Sequence, residues 1–267
     1  MKHSEVRHPA YLDCFAAQLG TLGVAGQRRL QRAAVLIAGA GGLGAAISST
    51  LATVGVGTLV IVDPQRMELE NLNRYPFARL ADIGKPKVDV LAAFFEGRPH
   101  LTAVPVLGTA EAVAKTRIAR QNIQLLVSAS NTVSSRLAVA QLASRYGVPH
   151  ISAAVSDCRE RRGGTVVAWI PERRDLACPA CFLTSRARPI RGESLLATVV
   201  STVGAMAACV AVQLLTLRDR TQALEHGNCL TIDLQHYAVE PIRVLRRHDC
   251  VVCAGGRGAV KARRHSR

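Results

Sequence analysis

The glycine-rich stretch VLIAGAGGLGAA, residues 35–46, contains the first residues of this chain whose spacing can do chemistry. Gly39, Gly41 and Gly44 form the pattern G-x-G-x-x-G directly after an apolar run, and Gly42 lies between them. Glycines at this spacing let a strand turn tightly into a helix and bring phosphate groups close to backbone N–H groups. We therefore expect these four glycines to bind a nucleotide, and the pattern alone leaves NAD, FAD and ATP open.

Charged and amide side chains beyond this stretch narrow the choice of nucleotide. Asp63 ends a second apolar run, at the distance where dinucleotide-binding proteins place a carboxylate for the ribose hydroxyls. Asn71, Arg74 and Lys87 follow it closely. A nicotinamide site does not need two cations beyond the ribose, whereas a reacting triphosphate needs them to neutralise charge at phosphorus. The sequence therefore favours ATP, with a nicotinamide-dependent reductase as an alternative.

Four of the eight cysteines form two C-x-x-C pairs that are far apart in the sequence. Two such pairs can close a tetrahedral four-cysteine zinc site, which would join two distant segments of the chain. The alternative is a reactive dithiol, although redox pairs of this kind occur singly at the start of a helix. The other cysteines are expected to be buried or half-buried thiols. The predicted zinc ligands are Cys178, Cys181, Cys250 and Cys253.

Short apolar runs alternate with amphipathic stretches along most of the chain, a rhythm typical of β-α-β units. The predicted fold class is α/β, a Rossmann-like, doubly wound and mainly parallel sheet with a C-terminal strand hairpin and the four-cysteine zinc site. The predicted strands cover residues 33–38, 58–63, 101–107, 123–130, 149–155, 163–170, 229–234 and 240–247. The predicted helices cover residues 44–54, 86–95 and 134–147, and a leading helix ends near residue 31.

Residues 194–217 carry no charge and are long enough to cross a bilayer. Alanine, serine, threonine and glycine dilute the stretch, and it lies between a nucleotide-binding fold and a cysteine pair. We therefore predict a helix buried in the core or at a subunit interface. No membrane partner is expected.

Length and charge limit the domain organisation and the partners that we expect for the chain. The 267 residues fit one α/β domain over 1–255, with a nucleotide-binding half up to about 155 and a crossover and zinc half over 156–255. A basic tail follows at 256–267, and the net charge is +15. The tail is interpreted as a solvated segment or a site for an acidic partner; nucleic acid is not an expected partner. The N-terminus lacks a signal-peptide pattern, so we expect a cytoplasmic protein.

Together, AGAGGLG, IVD, ENLNR, DIGKPKV and the paired C-x-x-C motifs resemble the MoeB/ThiF/HesA family, bacterial relatives of the ubiquitin-activating enzymes. The resemblance covers nearly the whole chain, from GVAGQRRL to Cys253. It implies an adenylyltransferase that uses Mg²⁺ and ATP to adenylate the C-terminal carboxylate of a ubiquitin-like sulfur-carrier protein ending in Gly-Gly. Such proteins are usually homodimers. The resemblance also implies that Asp63 holds the ribose and that Asn71, Arg74 and Lys87 contact the phosphates.

Three departures from the family pattern bear on activity. The family's N-terminal arginine, which reaches into the partner subunit, has no counterpart, because no arginine occurs between His8 and Gln27. In SASNTVSSR, Ser128 replaces a first aspartate, and Asn131 replaces the aspartate expected near magnesium. An amide binds this hard cation more weakly than a carboxylate does. No cysteine lies near Ile190, where some relatives carry the one that forms a thioester or persulfide.

Two functional hypotheses follow from these motifs and departures. The first is an enzyme that adenylates a sulfur carrier or a pathway peptide without a covalent thioester, with Arg74, Lys87 and Asn131 at the reacting phosphate. The second is a catalytically weakened nucleotide-binding subunit that forms a heterodimer with a related protein.

Overall fold

Eight strands form one sheet in the computed structural model, which describes residues 10–98, 100–113, 122–158, 161–183 and 195–254. Their spatial order is β3-β2-β1-β4-β5-β6-β7-β8. The strands are β1 Ala34–Ala38, β2 Thr58–Asp63, β3 Thr102–Leu107, β4 Leu125–Ser128, β5 His150–Cys158, β6 Arg161–Trp169, β7 Cys229–Asp233 and β8 Ala238–Ile242.

The sheet has a parallel half and an antiparallel half. The pairs β3-β2, β2-β1, β1-β4 and β4-β5 are parallel, and the pairs β5-β6, β6-β7 and β7-β8 are antiparallel. The chain order reverses at β1, because β2 lies on one side of it and β4 on the other. A crevice opens at such a reversal, outside the carboxyl ends of the strands, and doubly wound folds bind their ligands there. The predicted Rossmann-like fold is confirmed.

Helices cover both faces of the parallel half. They are α1 Tyr11–Cys14, α2 Leu19–Arg32, α3 Gly42–Thr53, α4 Lys87–Phe94, α5 Ala110–Val113, α6 Val133–Tyr146, α7 Pro179–Phe182 and α8 Ala197–Thr216. Short 3-10 helices add Ala16–Gln18, Leu69–Arg74, Leu80–Asp82 and Arg220–Leu224. The helices predicted over 44–54, 86–95 and 134–147 are found within two residues of these bounds, and the helix predicted for 194–217 covers Ala197–Thr216.

The core consists of two clusters, one on each face of the sheet. Along β1, Val35 and Ile37 pack into the cluster that includes α3 and α8, whereas Leu36 and Ala38 pack into the cluster that includes α6. All four side chains are buried. A central strand covered on both faces reads as a continuous apolar run, which is why AVLIA was recognisable in the sequence.

Helix α8 is the uncharged segment for which we predict a helix buried in the core or at a subunit interface. Ten of its twenty residues are buried, and it packs against α2, α3, β5 and β6. A Cβ atom at Gly204 would lie 2.6 Å from Cβ of Ala46, so glycine at this position allows α8 to approach α3 closely. In the described residues, α8 is the one helix long and apolar enough to cross a membrane by length and composition.

The C-terminal hairpin is present, but its second strand begins and ends earlier than predicted. The Asp233 carboxylate accepts hydrogen bonds from the backbone N–H groups of Gln235 and His236, and Tyr237 has a positive φ of 55°. This tight turn brings the chain back at Ala238, so β8 ends at Ile242. The following residues lead to the second cysteine pair. The division of the domain near residue 155 stays a prediction.

Candidate nucleotide site and cysteine cluster

A cavity of ≈ 750 Å³ lies at the carboxyl ends of the parallel strands. Its walls include the glycine turn after β1, the end of β2, the residues after β3 and the loop Ala129–Thr132 between β4 and α6. It extends over β5 and β6 to α7, where Pro179 and Phe182 line it. This is the position at which a doubly wound sheet binds its ligand.

The glycine turn is shaped by close backbone contacts. Gly39 has φ 109°, and a Cβ atom there would lie 2.7 Å from the carbonyl carbon of Ala129. A Cβ atom at Gly44 would overlap the carbonyl oxygen of Gly39. Gly41 has no atom near its missing side chain, and it lines the cavity where α3 begins. The unpaired N–H groups at the start of α3 can therefore receive a phosphate.

Asp63 braces the floor of the cavity. Its Oδ2 accepts a hydrogen bond from the Ala40 N–H at 2.6 Å, and its Oδ1 accepts one from the Gln65 N–H at 2.7 Å. The residue is 5% exposed and lines the cavity. A carboxylate oxygen has a second lone pair, so Asp63 can hold the glycine turn and still accept from a ribose hydroxyl.

Lys87 brings a largely buried positive charge to the cavity. It is the first residue of α4, and its Nζ donates to Oε1 of Gln65 at 2.9 Å. Burial lowers the pKa of the amino group, and the nearby carboxylate of Asp63 opposes that shift. An ammonium group removed from water gains more from an arriving phosphate than an exposed one does.

Arg74 approaches the cavity from the end of the 3-10 helix Leu69–Arg74. Its Nη1 donates to the carbonyl of Glu70 at 2.8 Å and to Oδ1 of Asn73 at 2.9 Å. Its Nη2 lies 3.9 Å from the carboxylate of Glu70, which is 75% exposed. A pair with so exposed a partner is weak, so a phosphate can replace Glu70.

Asn71 is buried and is not among the described residues that line the cavity. Its Oδ1 accepts a hydrogen bond from the Glu68 N–H at 3.1 Å, at the start of the short helix that carries Arg74. Its contact with phosphate stays a prediction. The geometry gives Asn71 a positioning role for the Arg74 helix.

Asn131 lines the cavity and is exposed, directly before Thr132, which caps α6. The neighbouring Ser130 also lines the cavity, and its Oγ is buried without a hydrogen-bond partner. Oxygen donors of this kind fit a hard cation such as Mg²⁺. The Glu111 carboxylate is a third oxygen donor in the same cavity. The catalytic role of Asn131 stays a prediction.

Ser128 and His150 form a neutral pair where the family pattern places an aspartate. Ser128 Oγ lies 2.8 Å from Nε2 of His150, and both residues are fully buried. Burial, with a contribution from the Arg136 charge, lowers the pKa of His150 to about 3. The Arg136 guanidinium donates hydrogen bonds to Oγ of Ser152 and to the carbonyl of Ala153. The buried pair is therefore uncharged at neutral pH.

Sequence reasoning missed several residues that line the cavity. Gln65 supports Lys87, Arg136 holds β5, and Glu111 contributes a carboxylate. Glu111 could have been predicted from its position four residues after β3. Neighbouring parallel strands end at the same edge of a sheet, and ligands bind at that edge.

The four cysteines of the two C-x-x-C motifs come together, with all sulfur atoms within 4.8 Å of one another. Sγ of Cys178 lies 3.9 Å from that of Cys181 and 3.6 Å from that of Cys250, and the sulfurs of Cys181 and Cys253 are 3.5 Å apart. Tetrahedral zinc with Zn–S bonds of 2.3 Å requires sulfurs about 3.8 Å apart. The donor set and spacing therefore fit zinc.

The isolated cysteines differ from their expected burial. Cys229 is buried, as predicted, but Cys14 and Cys209 are exposed, so the prediction was wrong for these two. Cys14 lies on the short helix α1, and Cys209 lies on the exposed side of α8. Neither lines the cavity.

The N-terminal segment where relatives carry the reaching arginine packs on its own chain here. Tyr11 is buried, and its hydroxyl donates to the carbonyl of Gly55 at 2.6 Å and accepts from Nε2 of Gln27 at 2.7 Å. Ile190, the place of the covalent cysteine in some relatives, and the basic tail lie outside the described residues.

Comparison with known proteins identifies a family, related sequences and a structure with the same fold. Residues 15–252 match the ThiF family. The chain is 29% identical over 248 residues to the SAMP-activating enzyme E1 of Haloferax volcanii, covering 88% of this chain and 85% of that protein. It is 30% identical over 251 residues to the adenylyltransferase and sulfurtransferase uba4 of Aspergillus terreus, covering 88% of this chain and 50% of that protein. The structure of E. coli MccB with ATP shares the fold, with TM-score 0.72 and 19% identity over 92% of this chain and 76% of that chain.

Proposed function

The chain belongs to the ThiF family and is an adenylyltransferase, and we propose that it activates the C-terminal carboxylate of another polypeptide. The proposed substrate is a small ubiquitin-like sulfur-carrier protein ending in Gly-Gly, or a pathway peptide. The proposed cosubstrate is ATP with Mg²⁺. The family resemblance that the sequence motifs indicated is confirmed.

In the proposed reaction a carboxylate oxygen of the substrate attacks the α-phosphorus of ATP. A new O–P bond forms, the bond from the α-phosphorus to the bridging oxygen breaks, and pyrophosphate leaves with the electron pair. Negative charge grows on the phosphorus oxygens and on the leaving group, so cations already fixed in the site lower the barrier. Arg74 and Lys87 are the two cations assigned to this task.

The observation that carries the proposal is the convergence of three elements on one cavity. The glycine turn at the start of α3, the Asp63 carboxylate and the Lys87 ammonium come from segments well separated in the sequence. They offer, respectively, phosphate-binding N–H groups, a ribose acceptor and a charge for the phosphates. The cavity continues over β5 and β6, which leaves space beside the nucleotide for the end of a polypeptide.

We assign no covalent intermediate to the chain. No cysteine is among the described residues that line the cavity. The acyl adenylate would therefore be the product, and a sulfur donor or amine from elsewhere would attack it. Bound Mg²⁺ would supply charge neutralisation at the phosphates, and the amide oxygen of Asn131 is the donor assigned to it.

Zinc in the four-cysteine cluster would have a structural task. Cys181 lies in the short helix α7, whose residues Pro179 and Phe182 line the cavity. A zinc ion would fix this helix to the turn at Cys250 and Cys253, and so hold one wall of the cavity in place.

A second candidate function is a weakened nucleotide-binding subunit of a heterodimer. Asn131 offers no charge to a metal, and the N-terminal segment packs on Gly55 without a family arginine. Such a subunit would bind ATP, stay inactive alone or as a homodimer, and gain activity only with a related chain.

Intact-protein mass spectrometry of a candidate carrier tests the proposal. Incubation with ATP and the enzyme should add one AMP to the carrier, and hydroxylamine should remove it as the hydroxamate. Lys85→Ala is the matched control for Lys87→Ala, because Lys85 is exposed and pairs with Asp82 outside the cavity. An adduct that persists unchanged in Lys87→Ala, or AMP found on the enzyme rather than the carrier, would contradict the assignment.

A further inference from the structure

Two carboxylates line the cavity among its described residues, and they are placed differently. Asp63 uses one oxygen for the Ala40 N–H and the other for the Gln65 N–H, and it is buried. Glu111 lies in the first turn of α5 and is half-buried. Glu111 is therefore the carboxylate that an incoming cation can reach more readily.

Glu111 connects two walls of the cavity. Its carboxylate lies near the hydroxyls of Thr109 and Ser134, and α5 packs against α6. Thr109 follows β3, whereas Ser134 is in the first turn of α6, three residues after Asn131. The carboxylate therefore lies beside the segment that the family pattern assigns to the metal.

The surroundings of Glu111 favour its charged form. Its own backbone N–H is the largest cause that lowers the pKa of the carboxyl, burial opposes it, and the Ser134 and Thr109 hydroxyls add to it.

The cavity is lined by several positive charges, which a carboxylate beside the metal would partly balance. The cations that line it in the described chain are Arg74, Lys87 and Arg136. Mg²⁺ must enter this positive surrounding together with ATP, and it prefers carboxylate ligands. Asn131 supplies a dipole only, and Asp63 is buried where it holds the glycine turn.

We propose that Glu111 supplies the carboxylate for the magnesium ion of Mg·ATP, directly or through a metal-bound water, in place of the aspartate that relatives carry at the position of Asn131. This inference rests on the proposed function, since it assumes that Mg·ATP is the ligand of the cavity. It predicts opposite effects with and without the metal. A negative charge at residue 111 repels metal-free ATP and attracts the magnesium complex.

The experiment measures the affinity of a fluorescent, non-hydrolysable ATP analogue at increasing magnesium, for the parent and Glu111→Gln. In Glu111→Gln, affinity without divalent ions should be equal or higher than in the parent. The half-saturating magnesium concentration should rise about tenfold or more, as expected when a group supporting a metal is lost. Glu96→Gln is the control, because Glu96 is exposed and does not line the cavity.

A second variant separates metal binding from simple damage to the site. Asn131→Asp in the Glu111→Gln background returns a carboxylate beside the same segment, and it should restore a large part of the magnesium response. Manganese bound to each variant with the analogue, counted by electron paramagnetic resonance, should follow the same order.

Each outcome decides a separate point. If Glu111→Gln weakens binding equally with and without magnesium, Glu111 contacts the nucleotide itself and this inference is wrong. If magnesium tightens binding equally in both proteins, another group holds the metal, and the proposed function is untouched. If the parent fails to bind the analogue at any magnesium concentration, the proposed function is wrong as well.

Discussion

The side chain of Arg74 lies directly against Gly42 in the glycine turn before α3. A Cβ atom on residue 42 would be 2.9 Å from Cγ and 3.0 Å from Cδ of Arg74, with Cγ1 of Val200 at 3.2 Å. Glycine at this position therefore lets the methylene groups of Arg74 pack against the backbone at the start of α3. One contact therefore positions both Arg74 and the glycine turn, the two parts of the site that are proposed to contact the phosphates.

Gly42→Ala should consequently lower the adenylation rate, because the added methyl group displaces the Arg74 side chain. The added methyl group must push the arginine stem away, because Val200 closes the other side. We expect the pyrophosphate exchange rate to fall about tenfold or more, while ATP affinity changes less. Gly20→Ala is the control, since a Cβ atom there has no neighbour within 4 Å. Equal exchange rates in Gly42→Ala and the parent would show that the contact does not position Arg74.

Arg74→Ala and Lys87→Ala should each lower the adenylation rate by about 10²-fold or more. Each removes a fixed positive charge from the place where negative charge develops, whereas binding of ATP should weaken less. Rates come from ATP–pyrophosphate exchange, and melting curves verify that the variants fold. Lys85→Ala should behave as the parent, because its ammonium pairs with Asp82 outside the cavity. Full activity in both cavity variants would refute their roles.

Zinc should copurify at about one ion per chain, and its loss should affect stability first. Cys178→Ser or Cys250→Ser removes a ligand from a closed tetrahedral set, and structural zinc binding is folding free energy. Melting temperature should fall sharply, with a smaller change in nucleotide affinity. Cys209→Ser removes an exposed thiol outside the cluster and should leave both unchanged. Metal analysis that finds no zinc in protein purified under reductant would contradict this prediction.

No covalent thioester or persulfide to the carrier should accumulate on this chain. The exposed thiols in the described chain include Cys14 and Cys209, and neither lines the cavity. Denaturing gels without reductant, run after turnover with ATP and carrier, should show no adduct of enzyme and carrier. A reductant-sensitive band that peptide mapping assigns to one cysteine would overturn the product assignment.

The parts of the site that could be predicted from the sequence have local signals. The glycine turn is recognisable because Gly39 and Gly44 avoid backbone overlaps that any side chain would create. The cysteine cluster could be predicted from the two C-x-x-C pairs, since four cysteines in this pattern can share one zinc ion. Strand β2 was predicted to the residue because it is a buried central strand that ends at Asp63.

The parts that could not be predicted depend on contacts between distant segments. The contact between Gly42 and Arg74 forms only after distant segments of the chain have come together. The same holds for the position of Glu111 beside Ser134, which requires β3 and β4 to be assembled on β1 and β2. Strand β8 was misplaced because the Asp233 carboxylate closes a tight turn that brings the chain back early. Exposure of Cys14 and Cys209 has no local signal, because thiols occur both in cores and on surfaces.

ATP–pyrophosphate exchange with a carrier whose C-terminus is either free or amidated tests the central claim most directly. Exchange reports formation of the acyl adenylate itself, without any later sulfur or amine transfer. The proposed reaction requires exchange with the free carboxylate and none with the amidated carrier, together with loss of exchange in Lys87→Ala but not in Lys85→Ala. Exchange that is equal for the free and amidated carriers, or that needs no carrier at all, would contradict adenylation of the terminal carboxylate.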